Sequence, residues 1–399
     1  MKHTPHALII GGGIAGPAAA LFLRRAGIES QIFEAYGEPS TIGGGFQIAP
    51  NGIRVMQALG LADQVRASGV LSSDFVFRNQ HGKVIGRIDV SSEGQAVTIR
   101  RSEFHRILMD AVTRAGIPIH YGKRLSTIEQ TGDVVSAEFQ DGHVETGNML
   151  LAADGVHSRV RSQILPENAV PRYTGFIGIG GFAESGSCTP TNLQDARQLN
   201  FTVGSRFQIG YAMTSESPSR WGWWTHLPQD QELTRAELQA ITDETIRDRV
   251  LAAFGGWHSP IRSLVSNTRQ IMRTAIYDVP SLPTWHAGRV MLLGDAAHAM
   301  SPAGGQGASL ALEDAMLLGR SLADKSRSLT QSFALVEAQL RKRAERMIRQ
   351  AAQNDSRQAK ELGPFGQWMR DQAFCLVASA IARELRHQYT ALQHLASAA

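Results

Sequence analysis

Apolar runs of strand length stand at three distant points of this chain, and each leads into glycine or an Asp-Gly pair. Ala7-Leu8-Ile9-Ile10 runs into Gly11-Gly12-Gly13-Ile14-Ala15-Gly16. Leu150-Leu151-Ala152-Ala153 runs into Asp154-Gly155, and Val290-Met291-Leu292-Leu293 into Gly294-Asp295. Residues 18–26 then read as a helix that stops at Gly27, residues 31–34 as a second strand ending in Glu34, and residues 308–318 as another helix.

The segments between are β-rich. Residues 75–78 and 84–89 flank a His81-Gly82 turn and read as a hairpin. Residues 176–184, 199–203, 207–214 and 221–227 alternate or run apolar at strand length, punctuated by Gly204-Ser205 and by residues 215–219. They are expected to form one antiparallel sheet. Alternation puts Trp221 and Trp223 on one face and Trp224 and His226 on the other; Ile209, Tyr211 and Met213 share a face that is either sheet core or pocket wall.

Residues 234–254 read as one or two helices. After Thr330 the chain is helical to about residue 362, breaks at Gly363-Pro364-Phe365-Gly366, and resumes from 367 to about 395. Phe333, Val336, Leu340 and Met347 recur at helical spacing and predict a buried face. Arg341, Lys342, Arg343, Glu345 and Arg346 predict a solvated one. Residues 374–382 are apolar on most sides, which implies packing against the body of the protein or a second copy.

Gly11, Gly13 and Gly16 have the spacing of a dinucleotide fingerprint. The first permits a tight turn, the second a close approach of backbone to pyrophosphate, the third close packing of helix on sheet. The helix that follows turns its free N–H groups and positive dipole end toward the phosphates. Glu34, about 20 residues on, suits ribose hydroxyls and disfavours a 2′-phosphate. Asp295 can accept hydrogen bonds from a ribityl chain, and Gly304, Gly305 and Gly307 open a helix whose N–H groups suit a carbonyl or phosphate oxygen. A dinucleotide held at both ends of the chain is a flavin bound along its whole length.

With these three motifs in this order, the chain resembles the group A flavoprotein monooxygenases, the para-hydroxybenzoate hydroxylase-like family. The resemblance covers most of residues 5–320. It implies an α/β fold: a Rossmann-like FAD-binding domain of the glutathione-reductase type, an antiparallel substrate sheet and C-terminal helices. The FAD domain is expected to be discontinuous, at 1–70, 98–165 and 286–325. Residues 71–97 and 166–285 would form the substrate domain, and 326–399 a helical segment. The FAD-binding residues implied are Gly11, Gly13, Ala15, Gly16, Glu34, Ala35, Gly45, Arg101, Leu125, Asp154, Asp295, Gly305, Gly307 and Ala308. Arg101 begins a helix that looks like the family's Arg-x-x-Leu-x-x-x-Leu segment, with Phe104 in place of Leu. Residues 43–52 look like the loop beside the isoalloxazine ring. The substrate-facing candidates are Gln47, Tyr211, Met213, Trp223, His226 and Pro302, while His298 is expected to make a structural hydrogen bond. In this family NADPH or NADH reduces FAD and oxygen forms a flavin C4a-hydroperoxide. The cofactor carries the chemistry, so no catalytic side chain and no metal cluster is assigned. The substrate implied is a small aromatic or polyketide-like molecule. A flavin-dependent halogenase and a non-oxygenating FAD reductase share the fold. The halogenase signature fails at Thr225 and His226, which stand where Ile-Pro is required.

Composition narrows the rest. The chain has 399 residues, 43% of them hydrophobic, enough for a sizeable core. Cys188 and Cys375 are the only cysteines, so no disulfide framework is expected and a reducing, cytoplasmic setting fits. Residues 1–6 lack a signal-peptide layout, and no apolar run approaches the roughly 20 residues of a membrane span. A net charge of +4 without basic stretches interleaved by aromatics argues against a nucleic-acid partner. A monomer or homodimer is expected.

Overall fold

The computed structural model describes residues 5–38, 44–72, 74–168, 170–183, 196–358 and 361–391. Cys188, Gly43, Glu184 and the expected helix end at 392–395 lie outside them.

The apolar run at the N-terminus becomes the strand His6–Ile10, with Met149–Ala152 on one side and Glu29–Phe33 on the other, both parallel to it. Leu8 and Ile9 are fully buried there. Such a strand presents apolar side chains to both faces, because helices cover both. Val290–Leu292 extends the layer in parallel beside Met149–Ala152, so two of the three glycine-led motifs leave from adjacent central strands and the third from their neighbour. The helix Ala15–Arg25 and the helix Gly307–Ala323 pack on this layer and on each other. Gly319 permits that contact: a Cβ there would stand 2.6 Å from Cβ of Phe22.

A larger sheet stands beside this layer. Among the described residues its order is Thr268–Asp278, Arg172–Ala183, Ser219–Pro228, Gln208–Glu216, Gln198–Val203, Asp74–Asn79, Val84–Asp89. The expected hairpin and strands are all present. Two features depart from expectation. Gln198–Val203 pairs in parallel with Asp74–Asn79, so the sheet is mixed. The strand Thr268–Asp278 was not read from the sequence, because Arg269, Gln270 and Arg273 mask its apolar alternation. The segment 234–254 resolves into two helices. Arg235–Ala240 starts with a capping box between Thr234 and Glu237, and Asp243–Phe254 is capped by Thr242.

The C-terminal helices are Leu329–Gln358 and Pro364–Thr390. Phe333, Val336, Leu340 and Met347 are buried, as their spacing predicts. The opposite face is less solvated than expected. Arg343 reaches the buried Glu313 of the helix Gly307–Ala323 in a short ion pair, and Arg341 pairs with Glu337 and Glu345 one turn away on either side. Burial pushes the Glu313 carboxyl above its usual range, with Arg343 acting against that shift. The apolar stretch at 374–382 is only partly covered: Phe374 packs on Phe77 and over Gly86, whereas Leu376 and Val377 are exposed. No helix among the described residues is long and apolar enough to cross a membrane.

The Arg343–Glu313 pair fastens the C-terminal helix to the body. Removing one partner strands a buried charge, so Arg343→Met is expected to cost about 3–5 kcal/mol in urea unfolding. Arg343→Met combined with Glu313→Leu should recover most of that loss. A single variant as stable as the parent would show that the pair contributes nothing.

Candidate functional site

The three motif turns meet at one end of the parallel layer. Gly11 has φ +107°, and a Cβ on it would lie 2.2 Å from the carbonyl oxygen of Ala153. Gly16 is as constrained, its Cβ position falling 2.0 Å from the Gly11 oxygen. Gly13 differs: nothing lies within 4 Å of its Cβ position, so its backbone faces open space at the start of the helix Ala15–Arg25. That combination of closed packing at Gly11 and Gly16 with an open Gly13 is what a bound pyrophosphate requires.

Glu34 stands at the end of its strand as expected, with Ala35 beside it. Its carboxylate accepts from the backbone N–H of Gly12 at 2.7 Å and of Tyr36 at 2.9 Å, which fixes it beside the glycine turn. His105, one turn into the helix Arg101–Arg114, places Nε2 2.6 Å from the Gly12 carbonyl oxygen, a contact no motif announced. Arg101 is exposed at the first position of that helix, and its N–H donates to the Gly44 oxygen. The backbone of Leu125 is partly committed: its carbonyl accepts from Arg159 at 2.7 Å.

Asp154 is committed as well. It accepts from Ser158 Oγ at 2.6 Å and from the N–H groups of Arg159 and Val160, closing the start of the helix Arg159–Ile164. Burial raises its carboxyl above the usual range against those bonds. From the same helix the buried guanidinium of Arg161 donates to the carbonyls of Val156 and Ala296, tying the second motif to the third. An arginine in that place was not identified from the sequence, because neither partner is a side chain.

At the third motif Gly294 has φ +57°, and its Cβ position lies 3.1 Å from Ala15 Cβ. Asp295 follows, exposed, and its carboxylate accepts no bond from any described residue; its Oδ1 lies 4.0 Å from the Cβ position of Gly307. Its neighbour Asp314 is committed instead, accepting from Gly294 N and from His298 Nε2, both at 2.7 Å. The expected structural hydrogen bond of His298 is therefore present. Burial of His298 lowers its pKa, but the Asp314 carboxylate outweighs that and leaves it above the ordinary value. Pro302 opens a one-turn 3-10 helix, Gly305 takes the left-handed conformation after it, and Gly307 and Ala308 begin the long helix.

The large sheet turns one face toward this end. A Cβ on Gly45 would lie 3.0 Å from Thr214 and 3.6 Å from Phe182, both on the Gly222–Trp224–His226 face. Gln47, two residues on, shares the side of its strand with Gly45 and donates to Ser72. Gln47 and His226 thus lie on facing surfaces. Tyr211, Met213 and Trp223 do not. They share the opposite face with Trp221 and are buried against the helices Asp243–Phe254 and Ile261–Ser266; Trp223 Nε1 donates to Thr268. Their apolar alternation is the signature of that core and not of a pocket wall. No cluster of metal-ligating side chains occurs among the described residues. An open depression of about 390 Å3 lined by Pro5, Asn148, Arg289 and Lys325 touches none of the motif residues and lies elsewhere on the surface.

A family model described as an FAD binding domain matches residues 4–351. The chain is 31% identical to 6-hydroxynicotinate 3-monooxygenase of Bordetella bronchiseptica, over 80% of this chain and 83% of that protein. It is 30% identical to 3-amino-4-hydroxybenzoate 2-monooxygenase of Streptomyces cremeus, over 78% and 76%. The crystal structure of Klebsiella pneumoniae HpxO with FAD and uric acid superposes with a TM-score of 0.80 at 26% identity, covering 99% and 96% of the two chains.

The His298–Asp314 pair carries a pH signature. A histidine whose folded pKa is raised stabilises fully below its unfolded value of about 6.5 and loses that contribution as pH rises through the folded value. The stability gap between the parent and Asp314→Asn, measured by urea unfolding at matched FAD saturation, should be widest below about pH 6.5 and narrow as pH rises. A gap independent of pH would mean that His298 is neutral throughout.

Proposed function

Because the chain belongs to the group A FAD-dependent aromatic monooxygenase family, it is an oxidoreductase that binds FAD, and we propose that it hydroxylates a small aromatic substrate with NADPH or NADH and O2. The observation that carries this reading is the pairing of an open Gly13 with an unpartnered Asp295 at the same end of the parallel layer. The backbone at Gly13 suits a ligand's phosphate, and the Asp295 carboxylate suits a ligand's hydroxyls.

The residues present suit the cofactor along its length. Gly11, Gly13, Ala15 and Gly16 give the pyrophosphate a backbone cradle at a helix N-terminus. Glu34, held by Gly12 and Tyr36, retains acceptor capacity for a ribose, with Ala35 beside it. Arg101 offers a cation near the same turn, and Leu125 and Asp154 border it as backbone and helix cap. Asp295 would accept from the ribityl hydroxyls. Gly305, Gly307 and Ala308 would turn N–H groups to a ring oxygen, with Gly45 closing the far side. The redox chemistry is the cofactor's: with NAD(P)H and O2 it supplies the oxygen atom. The protein's part is to hold the substrate, exclude water and orient the reacting carbon. We infer that Gln47 and His226, on facing surfaces, and Pro302 at the start of the glycine loop contact substrate. Tyr211, Met213 and Trp223 are left out of that set by their position on the other face.

In the same reading, residues 1–70, 98–165 and 286–325 act as the cofactor-holding unit, 71–97 with 166–285 as the substrate unit, and 326–399 as a helical cover. A cytoplasmic monomer or homodimer fits it, since NAD(P)H is drawn from solution.

The purified protein is expected to be yellow. In a screen of aromatic acids, phenols and N-heterocycles, at least one compound should speed NAD(P)H oxidation and emerge with one oxygen atom from 18O2, without need of halide. Flavin reduction indifferent to every compound, with no oxygenated product, would move the assignment to a reductase. Asp295→Ala should lose FAD on gel filtration while His298→Ala retains it, the charge-assisted bonds of a carboxylate being the stronger kind. Equal retention would displace Asp295 from the cofactor.

A further inference from the structure

The long helix Leu329–Gln358 brings a buried acid close to the Pro302–Gly307 loop. Ala351 is fully buried on it, 3.4 Å from the Cβ position of Gly304 in the Pro302–Gly307 loop. One turn further on the same side stands Asp355, only 4% exposed. Neither of its carboxylate oxygens has a hydrogen-bond partner among the described residues. His226 Nδ1 stands 3.7 Å from Oδ1, itself buried and without a hydrogen bond at that atom. His226 lies on the sheet face that meets Gly45.

A structural ion pair would close to about 2.7–2.9 Å and saturate its oxygens. At 3.7 Å the two groups do not bond, and each still owes the desolvation cost of a buried polar atom. Such a carboxylate is complete only when a donor reaches it. The donor can be a ring N–H, an amino group or a hydroxyl. A second carboxylate is repelled.

We propose that Asp355, with His226 beside it, is the specificity-determining end of the substrate site, and that it selects aromatic substrates whose inner end is an N–H or O–H donor over those ending in a carboxylate. The proposal rests on the aromatic-substrate reading above. Asp355 is a binding residue here and takes no part in oxygen transfer.

The test uses the FAD-loaded full chain and two matched series. Aniline and 2-hydroxypyridine present a donor; benzoate and picolinate present a carboxylate in its place on the same ring. Affinity is read from the change each compound makes in the visible spectrum of bound FAD. The parent is expected to bind the donor series about tenfold or more tightly. Asp355→Asn should abolish that ratio while FAD content and unfolding midpoint hold. His226→Gln, with Asp355 intact and without its neighbour, should widen the ratio, and it serves as a second probe if Asp355→Asn does not fold. The proposal is overturned if the parent prefers the carboxylate series or binds both equally, or if the ratio survives in Asp355→Asn. It is also overturned if Asp355→Asn lowers only the unfolding midpoint, as a structural pair would. If FAD-loaded enzyme responds to no compound of either series, and to none in the wider aromatic screen, the aromatic-substrate reading itself fails; a response without preference removes only the role of Asp355.

Discussion

A Cβ at position 11 would sit 2.2 Å from the Ala153 oxygen, and one at position 16 would sit 2.0 Å from the oxygen of residue 11. Backbone is therefore in contact with backbone at the point where the first motif passes the second. No rotamer change can relieve such a clash, because no side chain is involved. The third motif is drawn to the same point by different means: Arg161 donates to Ala296, and Gly294 nestles against Ala15. The phosphate cradle, the Glu34 carboxylate and the Asp295 carboxylate keep their mutual spacing only while these contacts hold. Loss of any one of them would spread the ends of a molecule that must be gripped at both.

Much of this was legible in the sequence, for a physical reason. Strands buried on both faces read as unbroken apolar runs, and turns that need left-handed backbone read as glycine, so the three motif turns announced themselves. Alternation correctly divided Trp221 and Trp223 from Trp224 and His226. It could not say which side of the sheet faced the second layer. Tyr211, Met213 and Trp223 were accordingly grouped with the wrong surface, and only the helices packed on that face settle the matter. The strand Thr268–Asp278 went unread because its outward residues are arginine and glutamine and its pairing is with a segment about a hundred residues away.

The long-range polar pairs were illegible in principle. Asp314 with His298, Glu313 with Arg343, and Asp355 with His226 join residues whose separation carries no periodic signal. A charge on the polar side of an amphipathic helix looks alike whether water or a buried acid receives it. Arg343 shows the difference: read as solvated, it is an anchor. The helix that carries it also carries Ala351 and Asp355, so the element that fastens the C-terminal segment to the helix Gly307–Ala323 also packs beside the Gly304 loop.

The indole of Trp224 lies over Gly210. A Cβ at 210 would fall 2.4–2.6 Å from the ring, and the edge of the indole meets Phe201 at a ring separation of 5.8 Å. The ring thus rests on bare backbone, in space that Gly210 leaves free. A side chain at position 210 would displace the indole and, through it, the Phe201 ring on the neighbouring strand.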